Sequence, residues 1–311
     1  LEIETLLANP EAHLANKRFI DTDLNREFKC DTLCVVDDKE EGGFDDDEGI
    51  LDSGIESRRA KELDGILGSK CEGSVDEFDV AIDLHTTTSN MGITLIVNEG
   101  DELMTQGAAF VAARCQDAKI LMHSIPEREE RPTLSSAAKH GFTIEVGPVP
   151  QGILRHDAVI NTESAMHALL EFFQRKNQGL DLTAEFKEGY PNGLVPCFRT
   201  APARRTGEIS GKITWPSDAE NPNFPSLMIH KSLQDKDFTL LQIGDPLFIG
   251  PDRSVIYYDG SHGDSVYVVF VNEGGYYYAS SGTGIGVAVS ADYDLTTGLL
   301  VEEPKFEEFI V

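Results

Sequence analysis

Strand and helix signals alternate along this chain from about residue 78 to residue 175, and then the long helical patterns stop. That switch limits the architecture more than any single motif does. Residues 78–84 and 93–97 read as strands, 101–113 as a helix, and 120–123 as a strand. Residues 142–146 read as a strand closed by Gly147-Pro148, and 158–175 as a long helix. Alternation of this kind is the signature of a layered α/β fold with a parallel or mixed sheet under helices. After residue 180 only short β-like runs remain, at 211–215, 227–230, 246–249, 254–258, 266–271 and 285–289. The expected fold class is α/β: a mixed sheet flanked by helices, with a smaller, mostly β C-terminal domain. The expected boundary separates residues 1–179 from residues 180–311.

Residues 1–8 alternate as Leu1, Ile3 and Thr5 and predict a strand that stops at Asn9-Pro10. The opening residue is Leu1 rather than Met, so the expectation is a chain entered part-way along a strand, with any targeting signal upstream. Residues 57–66 read as a helix. From Asp37 to Gly49, eight acidic residues stand against one Lys among Gly42, Gly43 and Gly49. Such a stretch repels itself and predicts a solvated loop that catalysis can dispense with. A calcium loop starting at Asp45 fails, because its sixth position is Ile50 where a Gly is required.

The charge balance sets the partners. With 26 Lys+Arg against 54 Asp+Glu, the formal net charge is −28. Nucleic acid is excluded, since phosphates need basic groups to neutralise them, and anionic membrane surfaces are disfavoured for the same reason. Apolar runs such as 266–271 fall far short of the roughly 20 residues of a spanning helix. The cysteines, Cys30, Cys34, Cys71, Cys115 and Cys197, are odd in number and form no CxxC pair. Reduced thiols in a cytoplasmic protein are the expected state.

Three segments concentrate chemistry. In Ala81-Ile82-Asp83-Leu84-His85-Thr86-Thr87-Thr88-Ser89-Asn90, a His ends an apolar strand, where α/β sheets place ligands. Asp83 and His85 are two apart and share one sheet face, so the carboxylate could fix the imidazole tautomer. A hydrogen-bonded structural His fits the same pattern equally well. In Arg18-Phe19-Ile20-Asp21-Thr22-Asp23-Leu24-Asn25-Arg26, two arginines stand in an acidic protein. They could bind a carboxylate or polarise a carbonyl, but spacing alone favours simple pairing with Asp21 and Asp23. In Gly141-Phe142-Thr143-Ile144-Glu145-Val146-Gly147-Pro148, Glu145 interrupts an apolar strand. A buried carboxylate is costly, which suits either general acid–base work or a structural salt bridge.

Taken in order from residue 9 to about 278, these segments resemble the aspartoacylases. The likeness extends through Val149-Pro150-Gln151-Gly152-Ile153-Leu154-Arg155, Leu233-Gln234-Asp235-Lys236-Asp237-Phe238, Gly244-Asp245-Pro246 and Val269-Phe270-Val271-Asn272-Glu273-Gly274-Gly275-Tyr276-Tyr277. The wider group includes succinylglutamate desuccinylases and zinc carboxypeptidases. The resemblance implies a zinc-dependent amidohydrolase, acting on linear amide C–N bonds, that cleaves an N-acyl-amino acid such as N-acetyl-aspartate. It implies that residues 1–179 are the catalytic domain. By the same likeness His85 is a Zn2+ ligand, Arg18 polarises the scissile carbonyl, and Asn25 with Arg26 holds the substrate carboxylate. Glu145 is the general base and acid, and Tyr276 contacts substrate from the C-terminal domain.

The sequence also departs from the family pattern. The family draws two further zinc ligands from an HxxE motif, and none occurs in these 311 residues. The expectation is that this pair lies upstream and that the chain as written binds zinc poorly. Thr86 stands where animal members usually carry Asn. The arginine that receives the aspartate side chain falls at Ser135, a nearby tyrosine position is Arg131, and a lysine after the tyrosine pair is missing from Tyr278-Ala279-Ser280. Arg128 or Arg131 is the candidate substitute. On this count, neutral or aromatic N-acetylamino acids are expected to serve at least as well as acetylaspartate. A metal-free binding protein on the same fold is the alternative from a different functional class. Homo-oligomerisation is left open.

Overall fold

A computed structural model describes residues 1–34, 54–71, 78–125, 127–200, 212–216, 225–277 and 284–301. The acidic loop at 37–49 lies outside the described residues. The first part of the chain supplies α1 (Pro10–Leu14), α2 (Cys30–Leu33) and α3 (Ile55–Leu67). Next come β1 (Val80–Thr86), β2 (Gly92–Asn98), α4 (Glu102–Ala112), β3 (Lys119–His123), β4 (His140–Gly147) and α5 (His156–Asn177). The remainder supplies α6 (Thr183–Gly189), β5 (Leu194–Thr200), β6 (Lys212–Ile213), β7 (Met228–Ile229), β8 (Thr239–Gln242) and β9 (Pro246–Ile249). The last described strands are β10 (Val255–Tyr257), β11 (Ser265–Val269) and β12 (Ile285–Asp294).

Nine strands form one mixed sheet, ordered β1-β4-β2-β3-β5-β12-β11-β8, with β6 on β12. β1 runs parallel to β4, and β3 runs parallel to both β2 and β5. The other pairs in this sheet are antiparallel. β10, β9 and β7 make a separate antiparallel sheet. The mixed α/β sheet and the β-rich C-terminal part agree with the fold class read from the sequence.

Strand periodicity divides the residues between the two faces. Ile93, Leu95 and Val97 of β2 and Phe142, Ile144 and Val146 of β4 enter the main core with α4 and α5. The alternate residues, Ile96 and Asn98 on β2 and Thr143 and Glu145 on β4, face a cavity on the other side. The C-terminal strands contribute to both cores. Val195, Cys197 and Tyr293 join the main core, while Val266, Val268, Ile285 and Val287 pack with Trp215 and Phe248 in a second one.

Four expectations need correction. Residues 1–7 form no strand, and Leu1, Ile3, Leu6 and Leu7 are exposed. Alternation marks a half-buried surface, but a strand also needs a hydrogen-bonding neighbour, and no described strand pairs with this segment. Helix does not stop at 180: α6 follows, with Phe186 against Phe110 at 6.5 Å between ring centroids. β5 and β8 escaped notice because Pro196 and Arg199 interrupt the first and polar ends bound the second. Finally, Cys30 and Cys71 form a disulfide with their Cα atoms 5.5 Å apart, so the reduced-thiol expectation fails for this pair. Cys34, Cys115 and Cys197 are free.

Candidate active site

The site begins with a register match. β1 and β4 pair so that His85 stands opposite Glu145, and both point to the cavity face. His85 Nδ1 lies 3.1 Å from Glu145 Oε1 and 2.9 Å from the Thr86 carbonyl oxygen. Attraction to Glu145 is the main cause that raises the His85 pKa, to about 9, against desolvation. Asp83 shares the face but does not orient His85. Its Oδ2 instead accepts from Asn25 Nδ2 at 3.0 Å.

Arg18, Asn25 and Arg26 reach the same cavity on a loop held by α3. Glu56, in the first turn of α3, is fully buried. Its carboxylate accepts from the backbone N–H groups of Ile20 (2.6 Å), Asp21 (3.0 Å) and Thr22 (3.2 Å) and from Asn9 Nδ2 (3.0 Å). Desolvation opposes its charge, but these donors hold its pKa below the ordinary value. Asp21 in turn accepts from the Ile55 N–H at 2.9 Å, at the start of α3.

Arg18 donates through Nε and Nη2 to Asp23 Oδ2 at 3.2 and 3.0 Å. Its Nη1 lies 3.7 Å from Glu273 Oε1. Desolvation would discharge Arg18, but Asp23, Tyr276 and Glu273 raise its pKa. The guanidinium rests on Gly275, where a Cβ would stand 2.8 Å from Arg18 Cδ, so any larger residue would displace it. Arg26 is 4.0 Å from Asp23 and donates to the Asn25 carbonyl at 2.7 Å. Pairing with Asp23 and membership of the cavity wall therefore hold together. Asn25 is largely engaged, since Oδ1 also accepts from the Leu134 N–H at 2.9 Å.

The C-terminal part closes the cavity. Tyr276 lines it, and Lys212 on β6 places Nζ 3.3 Å from the Tyr276 ring centroid. Burial, then the nearby Arg26, lowers the Lys212 pKa to about 7. Glu273 is buried and bridges the two parts of the chain. It accepts from the Thr87 hydroxyl, from the Thr88 N–H at 2.8 Å and hydroxyl at 3.1 Å, and from the Gly275 N–H at 2.8 Å. Thr87 and Thr88 directly follow β1, so Glu273 fixes the turn beyond His85.

The five residues expected to converge, Arg18, Asn25, Arg26, His85 and Glu145, all line one cavity of about 310 Å³, with Tyr276. Arg131 lines it too, whereas Arg128 turns to the carbonyl oxygens of Ser136 and Ala137 at 2.9 and 2.7 Å. A wider groove of about 870 Å³ shares Arg131 but holds a mixture of charges, among them Glu99, Asp101, Lys139 and Lys176, without that convergence.

Sequence reasoning missed Lys212, Glu273, Asn98 and His123 as wall residues. Asn98 and His123 end β2 and β3, and the strand-end rule that singled out His85 would have found them. Lys212 had no comparable signal, because its strand is two residues long. A catalytic zinc takes three protein ligands. Among the described residues no group of three His, Cys, Asp or Glu side chains could hold a metal ion, so the donors present do not by themselves fit such a centre.

Residues 1–173 match the succinylglutamate desuccinylase/aspartoacylase catalytic domain, and residues 208–283 match the AstE/AspA barrel-sandwich hybrid domain. A probable aspartoacylase from Nostoc sp. is 32% identical over 278 residues, covering 89% of this chain and 81% of that protein. The N-acyl-aromatic-L-amino acid amidohydrolase (carboxylate-forming) A of Danio rerio is also 32% identical, covering 89% of this chain and 75% of its own length. The crystal structure of murine aminoacylase 3 superposes with a TM-score of 0.73 at 25% identity, over 96% of this chain and 86% of that one.

Proposed function

The chain belongs to the succinylglutamate desuccinylase/aspartoacylase family, and from that membership we propose that it hydrolyses the amide bond of N-acyl-amino acids to a carboxylate and a free amino acid. The observation that carries the reading is the convergence of Glu145, His85 and Arg18 on one cavity wall. Glu145 is the base that takes a proton from the attacking water, and it returns that proton to the leaving amine. Arg18, kept charged by Asp23, stabilises the negative charge that develops on the carbonyl oxygen. Arg26 binds the substrate carboxylate, with the remaining N–H of Asn25, and Tyr276 contacts the substrate from the C-terminal side.

Zn2+ stays part of this reading as the family's expected cofactor, with His85 as the ligand this chain supplies. The steps above rest on the chain's own residues. The relatives named for aspartate and for aromatic amino acids leave two substrate classes in view, acidic and neutral or aromatic N-acetylamino acids.

The test is hydrolysis of N-acetyl-L-aspartate, N-acetyl-L-phenylalanine and N-acetyl-L-methionine by protein expressed from its complete coding sequence and supplied with zinc. The expected result is equimolar release of acetate and amino acid from at least one of them. A folded, metal-loaded protein inert to all three would overturn the proposal.

A further inference from the structure

We propose that Lys70 and the adjacent Cys30–Cys71 disulfide form a redox-sensitive staple that positions the Arg26 loop and the 131–135 segment at the cavity. Its reduction by a dithiol weakens substrate binding, a consequence that rests on the amidohydrolase reading above. The staple is two bonds between neighbouring residues. The Lys70 ammonium donates to the Phe28 carbonyl at 2.6 Å, and Cys71 is bonded to Cys30. Phe28 is fully buried and stands two residues after Arg26. Its own N–H donates to the Pro132 carbonyl at 3.2 Å. Lys70 also holds the second segment. It donates to the Arg131 carbonyl at 2.7 Å and to Ser136 Oγ at 2.9 Å, so all three of its N–H groups have acceptors. Arg131, Pro132, Thr133 and Ser135 line the cavity with Asn25 and Arg26. The Leu134 N–H ties the two segments again, donating to Asn25 Oδ1 at 2.9 Å. Three-residue 3-10 turns, at 24–26, 128–130 and 134–136, are the regular structure here. With so little internal bonding, the staple decides where these wall residues stand, and Lys70 is a positioning residue acting through Arg26.

The disulfide matters because the lysine is held against hydration. Lys70 is buried, and desolvation, then the nearby Arg128, lowers its pKa to about 8. Its three acceptors replace water only while the turn after α3 keeps its place, and Cys71 fixes that turn covalently to Cys30 at the start of α2. Reduction breaks the S–S bond. Two electrons and two protons pass from the dithiol, Cys30 and Cys71 become thiols, and the dithiol closes to its own disulfide. The ammonium is then free to regain water, and the Phe28 and Arg131 carbonyls each lose a donor. Cys30 and Cys71 are half-buried, so a small dithiol reaches them in the folded protein.

The test uses protein expressed from the complete coding sequence, air-oxidised or reduced with dithiothreitol, then desalted and reloaded with zinc. Peptide mapping by mass spectrometry scores the Cys30–Cys71 pair in each state. On the best N-acyl-amino acid substrate, reduction is expected to raise KM about tenfold and to leave kcat within about twofold, the pattern of lost uniform binding. The double variant Cys30→Ser/Cys71→Ser should show the high KM in both states. Lys70→Met should show it with the disulfide intact. Cys34→Ser, one helical turn from Cys30, should follow wild type. Hydrogen exchange gives a readout independent of turnover: the Phe28 and Leu134 amides should exchange faster after reduction while far-UV circular dichroism is unchanged. A KM indifferent to reduction, a loss confined to kcat, or a double variant that matches oxidised wild type would overturn the staple and leave the amidohydrolase reading standing. So would absence of the Cys30–Cys71 pair from oxidised protein. Inertness towards every N-acyl-amino acid would overturn the amidohydrolase reading instead. Exchange at Phe28 and Leu134 then decides the staple alone, and equal rates in the two states would overturn it.

Discussion

Glu145 is nearly fully buried, yet it faces an imidazole 3.1 Å away and a cavity open to substrate. A carboxylate so placed can move a proton without moving itself. Glu145→Gln keeps the shape and removes the base, so kcat is expected to fall by about 10²–10⁴-fold while circular dichroism and zinc content stay at wild-type levels. Loss of zinc would mark Glu145 as a ligand instead. Asp237 is a second acid of interest, half-buried and away from the described cavity wall. Its Oδ1 accepts from the Val271 N–H at 2.8 Å, and its Oδ2 is buried without a hydrogen bond. Desolvation raises its pKa to about 7, above the ordinary 3.8. Between these values the folded state holds a proton that the unfolded state has lost, so this group's contribution to stability falls as pH rises from about 4 to about 7. Asp237→Asn should remove that slope and gain on the order of 2 kcal/mol at pH 8 while changing little at pH 4. Urea denaturation at both pH values would check it, and an unchanged slope would show that Asp237 does not carry the effect.

At the scale of elements, the loop bearing Arg18 and Arg26 is placed by α3 rather than by its own structure. Glu56 grips its start, and beyond α3 the buried Lys70 ammonium donates to the carbonyl oxygens of Phe28 and Arg131 at 2.6 and 2.7 Å and to Ser136 Oγ at 2.9 Å. One side chain thus joins the segment after Arg26 to the two segments that flank Ser135. The Cys30–Cys71 disulfide closes the stretch that follows this loop, across a separation of 41 residues that includes α3. Chain entropy gives such a closure about 4 kcal/mol, mainly through the unfolded state. Cys71→Ser should lower the urea midpoint accordingly, and a reducing agent should bring wild type down to the variant. Identical midpoints with and without reductant would show that the bond does not form in solution.

For the whole molecule, the sheet is the unit that matters. β5, from the second half of the chain, pairs with β3 from the first, and Glu273 ties the C-terminal strands to the turn after His85. Ending the chain at residue 179 would strip Lys212, Glu273 and Tyr276 from the cavity and expose the β3 edge. An uncovered edge of this kind templates aggregation. The 1–179 fragment is therefore expected to be inactive and to aggregate, whereas the intact chain melts in one calorimetric transition. A soluble, monomeric fragment by light scattering would contradict this.

By itself, the sequence determined the class of fold and, through its motifs, six residues of the cavity wall: Arg18, Asn25, Arg26, His85, Glu145 and Tyr276. Period-two and longer periodicities are local properties, so the positions of β1 to β4, α3, α4 and α5 were legible, and so was the oddity of Glu145 in an apolar strand. The motifs carried Arg18, Asn25, Arg26 and His85 because each stands in a polar segment bordering a strand or turn. Tertiary structure alone decided which groups meet. Strand order put His85 of β1 beside Glu145 of β4, across 60 residues of chain. The same order gave Asp83 to Asn25 rather than to His85, and put Asn98 beside His123. Lys212 enters the cavity from a two-residue strand with no pattern to detect, and Cys30 finds Cys71 only because α3 folds back along the loop it anchors. Such pairings depend on how distant segments pack, and spacing along the chain carries no record of that.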